Sequence, residues 1–132
     1  MKYLLALYGD ESGWEDVTPE DMKEGMEPWD KYGQAVNEAG VFLAGEGLQQ
    51  SDTATTVKVV EDGDPIVTKG PFAKNKEQLG GFYLLECKDL DEALEWAKKV
   101  PLRPGGAIEV RPVMDYTQYG YDDPNLKAST AG

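Results

Sequence analysis

Two segments of the chain carry apolar residues at consecutive positions. In residues 2–8 both alternating sets are apolar, and residues 82–87 are largely apolar in the same way. A strand covered on one face alternates polar and apolar side chains, whereas a strand covered on both faces reads as a continuous apolar run. The pattern therefore predicts two central strands that are covered on both faces.

Two helices are predicted from their end signals and their apolar periodicity. The first begins with Thr18 as N-cap and Pro19 at the first helical position, and it ends at Gly40. Its apolar stripe comprises Met22, Met26, Trp29, Gly33 and Val36. Pro28 lies within this pattern and is expected either to kink the helix or to split it in two.

The second helix is predicted to begin at Asp89, with Glu92 completing an approximate capping box, and to end at Pro101. Its buried stripe comprises Leu90, Ala93, Leu94, Ala97 and Val100. Further strands are predicted at residues 41–48 and 107–113, and residues 54–60 and 66–68 form a hairpin around Asp62-Gly63. A loop of mixed charge spans residues 69–78.

The predicted order is β-α-β, a β-hairpin, then β-α-β. This is the α+β, ferredoxin-like plan with an inserted hairpin, in one domain of residues 1–114. Residues 115–132 form a tail that carries Tyr116, Tyr119 and Tyr121 and is expected to be disordered at its end. Because both helices lie on one face of such a sheet, the other apolar face needs a cover, and an identical subunit is the simplest one.

Composition excludes several classes of function. The 132 residues carry a formal charge of −12, which disfavours direct binding to nucleic acids or anionic membranes. There is no histidine and one cysteine, Cys87, which excludes histidine metal sites and cysteine-based metal clusters and leaves any chemistry to Asp, Glu, Lys, Arg, Tyr or Cys87. The acidic residues at positions 10, 11, 15 and 16 could hold a hard cation, but they lack the spacing of a calcium loop, so a solvated connection is favoured and neither a metal nor a cofactor is expected. The apolar N-terminal run is too short to span a membrane and lacks a cleavage site, which favours a cytoplasmic protein.

One segment resembles a known family. Residues 68–83 contain Lys69-Gly70-Pro71-Phe72 and end in Gly80-Gly81-Phe82-Tyr83. This stretch is similar to the hallmark of the YCII-related proteins, in the branch named for its Asp-Gly-Pro-Phe motif. Residues 1–3, 8–11, 44–48, 89–93 and 108–113 are similar as well, so the resemblance covers residues 1–114.

The resemblance implies a dimeric α+β barrel of ferredoxin-like subunits. Members of that family are largely uncharacterised bacterial proteins, and some of them are linked with extracytoplasmic-function sigma factors. Two departures bear on activity. Lys69 replaces the acid that names the motif, and the histidine site proposed for some relatives has no counterpart here.

Glu46 and Arg111 are the candidate catalytic residues. Glu46 lies between Gly45 and Gly47 in an apolar strand and is predicted to share a face with Phe42 and Leu48, where a desolvated carboxylate would serve as acid or base. Arg111 could bind a carboxylate or phosphate. The favoured alternative for both is a structural ion pair, with Glu46 or Glu109 as the partner of Arg111.

The candidate ligand-binding residues lie mostly in the loop 69–78. Lys69 and Lys74, with Lys76, could close over an anionic ligand, with Phe72 as an apolar anchor and Glu77 as the ion-pair partner of a lysine. Tyr8 and Tyr83 could offer hydroxyl groups at a cavity. A solvated loop and aromatic side chains that merely pack are the simpler interpretations, and Cys87 is expected to be an inert core thiol.

Two functions follow from these residues. One is small-molecule binding, or cofactor-free acid–base chemistry, in the barrel cavity. The other is a regulatory module that binds a protein partner such as a sigma factor through its acidic surface. An inactive family member is a third option, which the charge reversal at Lys69 makes credible.

Overall fold

Six strands and two helices make up the part of the chain that the structure describes. The structure is a computed structural model that describes residues 1–12, 16–122 and 124. The elements are β1 (Lys2–Asp10), α1 (Pro19–Glu38), β2 (Phe42–Gly47), β3 (Thr55–Lys58), β4 (Ile66–Lys69), β5 (Glu77–Glu86), α2 (Leu90–Lys98) and β6 (Ala107–Pro112). Short 3-10 turns occur at Ser51–Thr53 and Tyr116–Tyr119.

Four strands form one antiparallel sheet in the order β2-β5-β1-β6. The two central strands are those with apolar residues on both faces. With one helix in each β-α-β half, this is the ferredoxin-like arrangement that the sequence predicts. The remaining strands, β3 and β4, pair only with each other over the described residues and form the inserted hairpin.

One face of the sheet packs against the helices. Leu5 lies opposite Tyr83 on one side and Val110 on the other, and cross-strand partners share a face. Tyr3, Leu5 and Leu7 of β1 belong to the core cluster, together with Leu85 and Cys87. The helices contribute Tyr32, Val36, Ala93 and Ala97, and Val100 joins the cluster just after the end of α2.

The opposite face, which we call the open face, carries Leu4, Ala6, Phe82 and Leu84 at its centre. Leu4 pairs with Leu84, and Ala6 pairs with Phe82. These four side chains lie outside the core cluster that the helices cover. The prediction of a second apolar face is therefore confirmed.

Helix α1 begins and ends as predicted. The Thr18 side chain accepts a hydrogen bond from the Asp21 backbone N–H, and the Asp21 carboxylate accepts one from Thr18, so a complete capping box is present. The helix continues through Pro28, which excludes a split into two helices. Gly40 follows the C-cap with a φ of 73°.

The buried stripe of α1 is shorter than predicted. Met22 and Met26 are 39% and 43% exposed, and the buried residues of the helix are Tyr32 and Val36. Similarly, Leu90 and Leu94 of α2 are exposed while Ala93 and Ala97 are buried. The sheet covers only the part of each helix that packs against it. The spacing of apolar residues along a helix does not show which part that is.

Helix α2 is capped by Asp89, whose carboxylate accepts from the Glu92 backbone N–H at 2.9 Å. The Glu92 carboxylate accepts from the backbone N–H of Lys88, one residue before the position expected for a capping box. The two carboxylates still satisfy two free N–H groups at the start of the helix.

Strand β5 begins earlier than predicted, at Glu77. Residues 77 and 78 therefore belong to the sheet and not to the loop. The expected disorder at the end of the tail falls on residues 123 and 125–132, outside the described residues. Among the residues that are described, no helix is long and apolar enough to cross a membrane.

Candidate functional site

A cleft of about 500 Å³ lies where β1 and β5 meet the base of the hairpin. Its lining combines aromatic and aliphatic side chains with amides, hydroxyls and one carboxylate. The lining residues are Tyr8, Leu48, Gln49, Gln50, Ser51, Thr53, Ala54, Thr56, Pro71, Phe72, Ala73, Asn75, Glu77, Gln78 and Leu79. Tyr8 pairs with Leu79, which places the floor of the cleft on the open-face side of the sheet.

The first wall of the cleft is attached to the end of β1 through Glu11. The Glu11 carboxylate accepts a hydrogen bond from the Ser51 backbone N–H at 2.7 Å and another from the Ser51 hydroxyl. Hydrogen bonds to an ionised carboxylate are stronger than neutral ones. The 3-10 turn that contributes Ser51 and Thr53 is thereby held beside Tyr8.

The second wall is the segment that joins the hairpin to β5. The Gln78 amide donates to the carbonyl oxygens of Ala73 and Asn75, each at 2.8 Å. The Thr56 hydroxyl donates to the carbonyl of Gly70 at 2.7 Å, and the Gly70 N–H donates to Ala54. These bonds hold the two walls together at the base of the hairpin.

Two carboxylates face each other at the edge of the cleft. Asp10 of β1 lies directly opposite Glu77 of β5 in the sheet register. Hydrogen bonds from the backbone and side chain of Ser12 lower the pKa of Asp10, and Lys76 adds to this at 3.7 Å. Among the described residues, Lys76 forms its ion pair with Asp10, and Glu77 has no basic partner within 4 Å.

Three of the predicted ligand-binding residues come together in the cleft: Tyr8, Phe72 and Glu77. Lys69 lies in β4 opposite Thr55, and neither Lys69 nor Lys74 lines the cleft. Both lysines are exposed. The structure thus places these two lysines outside the cleft, and the lid of lysines stays a prediction. The expected pairing of Glu77 with a lysine is replaced by the pairing of Lys76 with Asp10.

Tyr83 lies on the helix face, away from the cleft. Its ring packs edge-to-face against Tyr32 at 5.1 Å and against Phe42 at 6.5 Å between centroids. Burial raises the pKa of Tyr83. The simpler interpretation, a packing role, fits these contacts.

A β-bulge changes the environment of Glu46. Phe42 pairs with Leu85 but Ala44 pairs with Leu84, so one extra residue lies between them in β2. Phe42 consequently packs on the helix face, whereas Glu46 pairs with Phe82 on the open face. The prediction that Glu46 shares a face with Phe42 is wrong, and its side chain is exposed in the single subunit.

Arg111 forms a structural ion pair with Glu109, which is the alternative that the sequence favours over a catalytic role. Its Nε lies 2.9 Å from the Glu109 carboxylate, and its side chain is 72% exposed. Arg111 is in β6 and Glu46 is in β2, at opposite edges of the sheet. Three strand spacings separate them by about 14 Å, so the chain does not bring this pair together.

Sequence reasoning missed the polar segment that forms the first wall, residues 49–53. Gln49, Gln50, Ser51 and Thr53 follow an apolar strand and carry no chemistry-bearing spacing of their own. Their place in the cleft depends on the hydrogen bonds between Ser51 and Glu11, two residues that lie 40 positions apart in the sequence. The described residues include no group of three or more acidic or cysteine side chains that could hold a metal ion.

Comparison with known proteins identifies relatives of this chain. A family model described as YCII-related domain matches residues 1–117. The chain belongs to the YCII-related family. It is also 36% identical over 118 residues to an uncharacterized protein of Rhizobium meliloti (strain 1021), which covers 88% of this chain and 94% of that protein. The family match confirms the resemblance to the YCII-related proteins. The name of the Rhizobium meliloti protein does not state an activity.

Proposed function

We propose that this YCII-related protein binds a small molecule in the cleft at the base of the hairpin. The observation that carries the proposal is the cleft itself, whose volume of about 500 Å³ falls within the range of small-molecule sites. Its lining pairs the aromatic side chains of Tyr8 and Phe72 with amides, hydroxyls and the carboxylate of Glu77. Such a mixture holds an apolar body and orients a polar group.

The proposal includes a homodimer. The open face carries Leu4, Phe82 and Leu84, and a second copy that stacks its own sheet on this face would form the α+β barrel of the family resemblance. Because Tyr8 and Leu79 lie on the same side of the sheet, the partner would approach the cleft and help to close it.

Binding is a better proposal than acid–base catalysis by Glu46 and Arg111. These two side chains lie outside the cleft lining and at opposite edges of the sheet. We also place the chain in the Asp-Gly-Pro-Phe branch, with Lys69 in the position of the acid. Lys69 lies outside the cleft, so the charge reversal leaves the lining unaltered. The regulatory alternative, with a sigma factor as partner, draws on the formal charge of −12.

Phe72 provides the test, because its side chain is 76% exposed and makes a small contribution to the core. A panel of small polar, acidic and basic metabolites is screened by thermal shift, and Kd values are then measured by calorimetry. We expect Phe72→Ala to weaken a panel ligand by about tenfold, since a ligand would bury part of this ring. Tyr119→Ala is the matched control, because Tyr119 is a 75% exposed aromatic residue outside the cleft.

Two results would contradict the proposal. One is a panel in which no compound raises the melting temperature of the wild type. The other is a ligand whose affinity falls equally in Phe72→Ala and Tyr119→Ala, because that ligand would bind elsewhere.

A further inference from the structure

The charge of the cleft selects the kind of ligand. Among its described lining residues Glu77 is the one charged side chain, and the others are apolar or neutral polar. An anion entering the cleft would meet this carboxylate, with Asp10 directly opposite it, in a protein of formal charge −12. Such an arrangement attracts cations and repels anions.

Glu77 also lacks compensation within the described part of the subunit. Like charges placed directly opposite each other on neighbouring strands are destabilising. The nearest lysine, Lys76, forms its ion pair with Asp10 at 3.7 Å. Since Lys76 compensates Asp10, a positive group beside Glu77 would supply the ion pair that this carboxylate lacks among the described residues.

The aromatic side chains of the cleft distinguish an organic cation from a metal ion. Tyr8 and Phe72 line the cleft, and aromatic rings attract ammonium groups and pack against the carbon atoms attached to them. A hard metal ion prefers six or more oxygen ligands with several carboxylates, and the lining supplies one. The hydroxyls of Ser51, Thr53 and Thr56 add neutral acceptors for N–H groups.

We propose that the ligand of this cleft is a small organic amine, bound as its ammonium ion by Glu77 with its apolar part against Tyr8 and Phe72. This inference rests on the proposed function and names its ligand class. It replaces the anionic ligand that the lysines of the loop predicted.

Three probes of similar size and different charge test the inference at neutral pH: phenethylamine, phenethyl alcohol and phenylacetate. Calorimetry on the full-length protein gives the Kd of each. We expect phenethylamine to bind at least about tenfold more tightly than the other two, because a charge-assisted hydrogen bond is worth that factor or more. Added salt should weaken the amine selectively.

Two variants of equal charge separate the local contact from the general field. Glu77→Gln should weaken phenethylamine by about tenfold and leave phenethyl alcohol unchanged. Glu61→Gln removes one negative charge from an exposed position outside the cleft and should leave both affinities unchanged. Amine binding that survives Glu77→Gln would overturn the inference.

The two proposals fail in different ways. If phenylacetate or phenethyl alcohol binds as tightly as the amine and Phe72→Ala weakens that binding, the small-molecule site stands and the amine assignment is overturned. If phenethylamine does not bind, the amine assignment is again overturned, and the small-molecule site falls only when the wider metabolite panel also gives no ligand.

Discussion

Gly45 lies against the ring of Tyr83, and this contact shows why a glycine occupies the strand. A Cβ atom at Gly45 would lie 2.8 Å from Cδ1 of Tyr83, and the ring has little room to move because Tyr32 and Phe42 pack against it. We expect Gly45→Ala to lower the free energy of unfolding by about 1–3 kcal/mol through overpacking. Urea denaturation measures the change.

Gly47 is the matched control, two residues further along the same strand. A Cβ atom there would meet nothing within 4 Å. Gly47→Ala should therefore be neutral or stabilise by up to about 1 kcal/mol, because alanine restricts the unfolded chain. Equal losses in the two variants would show that the contact with Tyr83 is not the cause.

Cys87 sets a second expectation for a single residue. Its side chain is 2% exposed, and burial together with the nearby carboxylates of Glu92 and Glu86 raises the pKa of the thiol from 9.0 to about 11. A raised pKa in the folded state means that the neutral thiol contributes stability below pH 9.0, and that this contribution is lost as the pH rises to about 11.

The measurement is the difference in unfolding free energy between wild type and Cys87→Ala across that pH range. Burial also raises the pKa values of Tyr32 and Tyr83, and this effect is common to both proteins. The charge of Cys87 adds to the shift at Tyr32, so the difference reports the thiol together with its coupling to Tyr32. We expect the stability of the wild type to fall more steeply than that of Cys87→Ala. Parallel curves would mean that the thiol titrates as it does in the unfolded chain.

At the scale of the elements, the features that the sequence predicts correctly are those with local causes. The capping box of Thr18 and Asp21 and the cap at Asp89 involve residues within one turn of each other. The hairpin joins two neighbouring strands through residues 59–65, which contain the predicted turn at Asp62-Gly63. The order of elements and the two-faced central strands then restrict the topology to the ferredoxin-like plan.

The features that sequence reasoning got wrong depend on partners far along the chain. One extra residue in β2 between Phe42 and Ala44, and another irregularity where Leu7 pairs with Gly81 but Tyr8 pairs with Leu79, change which side chains share a face. Strict alternation is broken at such bulges. The prediction that Glu46 shares a face with Phe42 is wrong for this reason.

The cleft shows the same limit. Tyr8, Phe72 and Glu77 were identified from the residues and the family motif, and the structure brings all three together. The polar wall around Ser51 depends on the hydrogen bonds from Glu11, which no local pattern reveals. The absence of lysines from the described lining likewise follows from the register of β4 and from the ion pair between Lys76 and Asp10.

At the scale of the whole molecule, the two faces of the sheet differ in how they are covered. The helix face contributes Leu5 and Leu85, which are fully buried within one subunit. On the open face Leu84 is only partly buried, and it does not belong to the core cluster that the described helices cover. A stable protein interface buries roughly 800 Å² of accessible surface on each partner. In the proposed dimer, the open face of the four-stranded sheet and the adjacent hairpin would provide this area.

A charge at the centre of the open face tests the proposed dimer. We expect the wild type to sediment as a dimer and Leu84→Lys to sediment as a folded monomer, because an unpaired ammonium buried between two sheets costs several kcal/mol. Leu94→Lys is the control, since Leu94 is an exposed leucine on α2 and the same change there should leave the dimer intact. Circular dichroism checks that both variants keep their secondary structure. Two results would contradict the open face as the interface: a wild type that sediments as a monomer at every concentration, and a Leu84→Lys variant that remains dimeric. In either case no partner sheet would help to close the cleft.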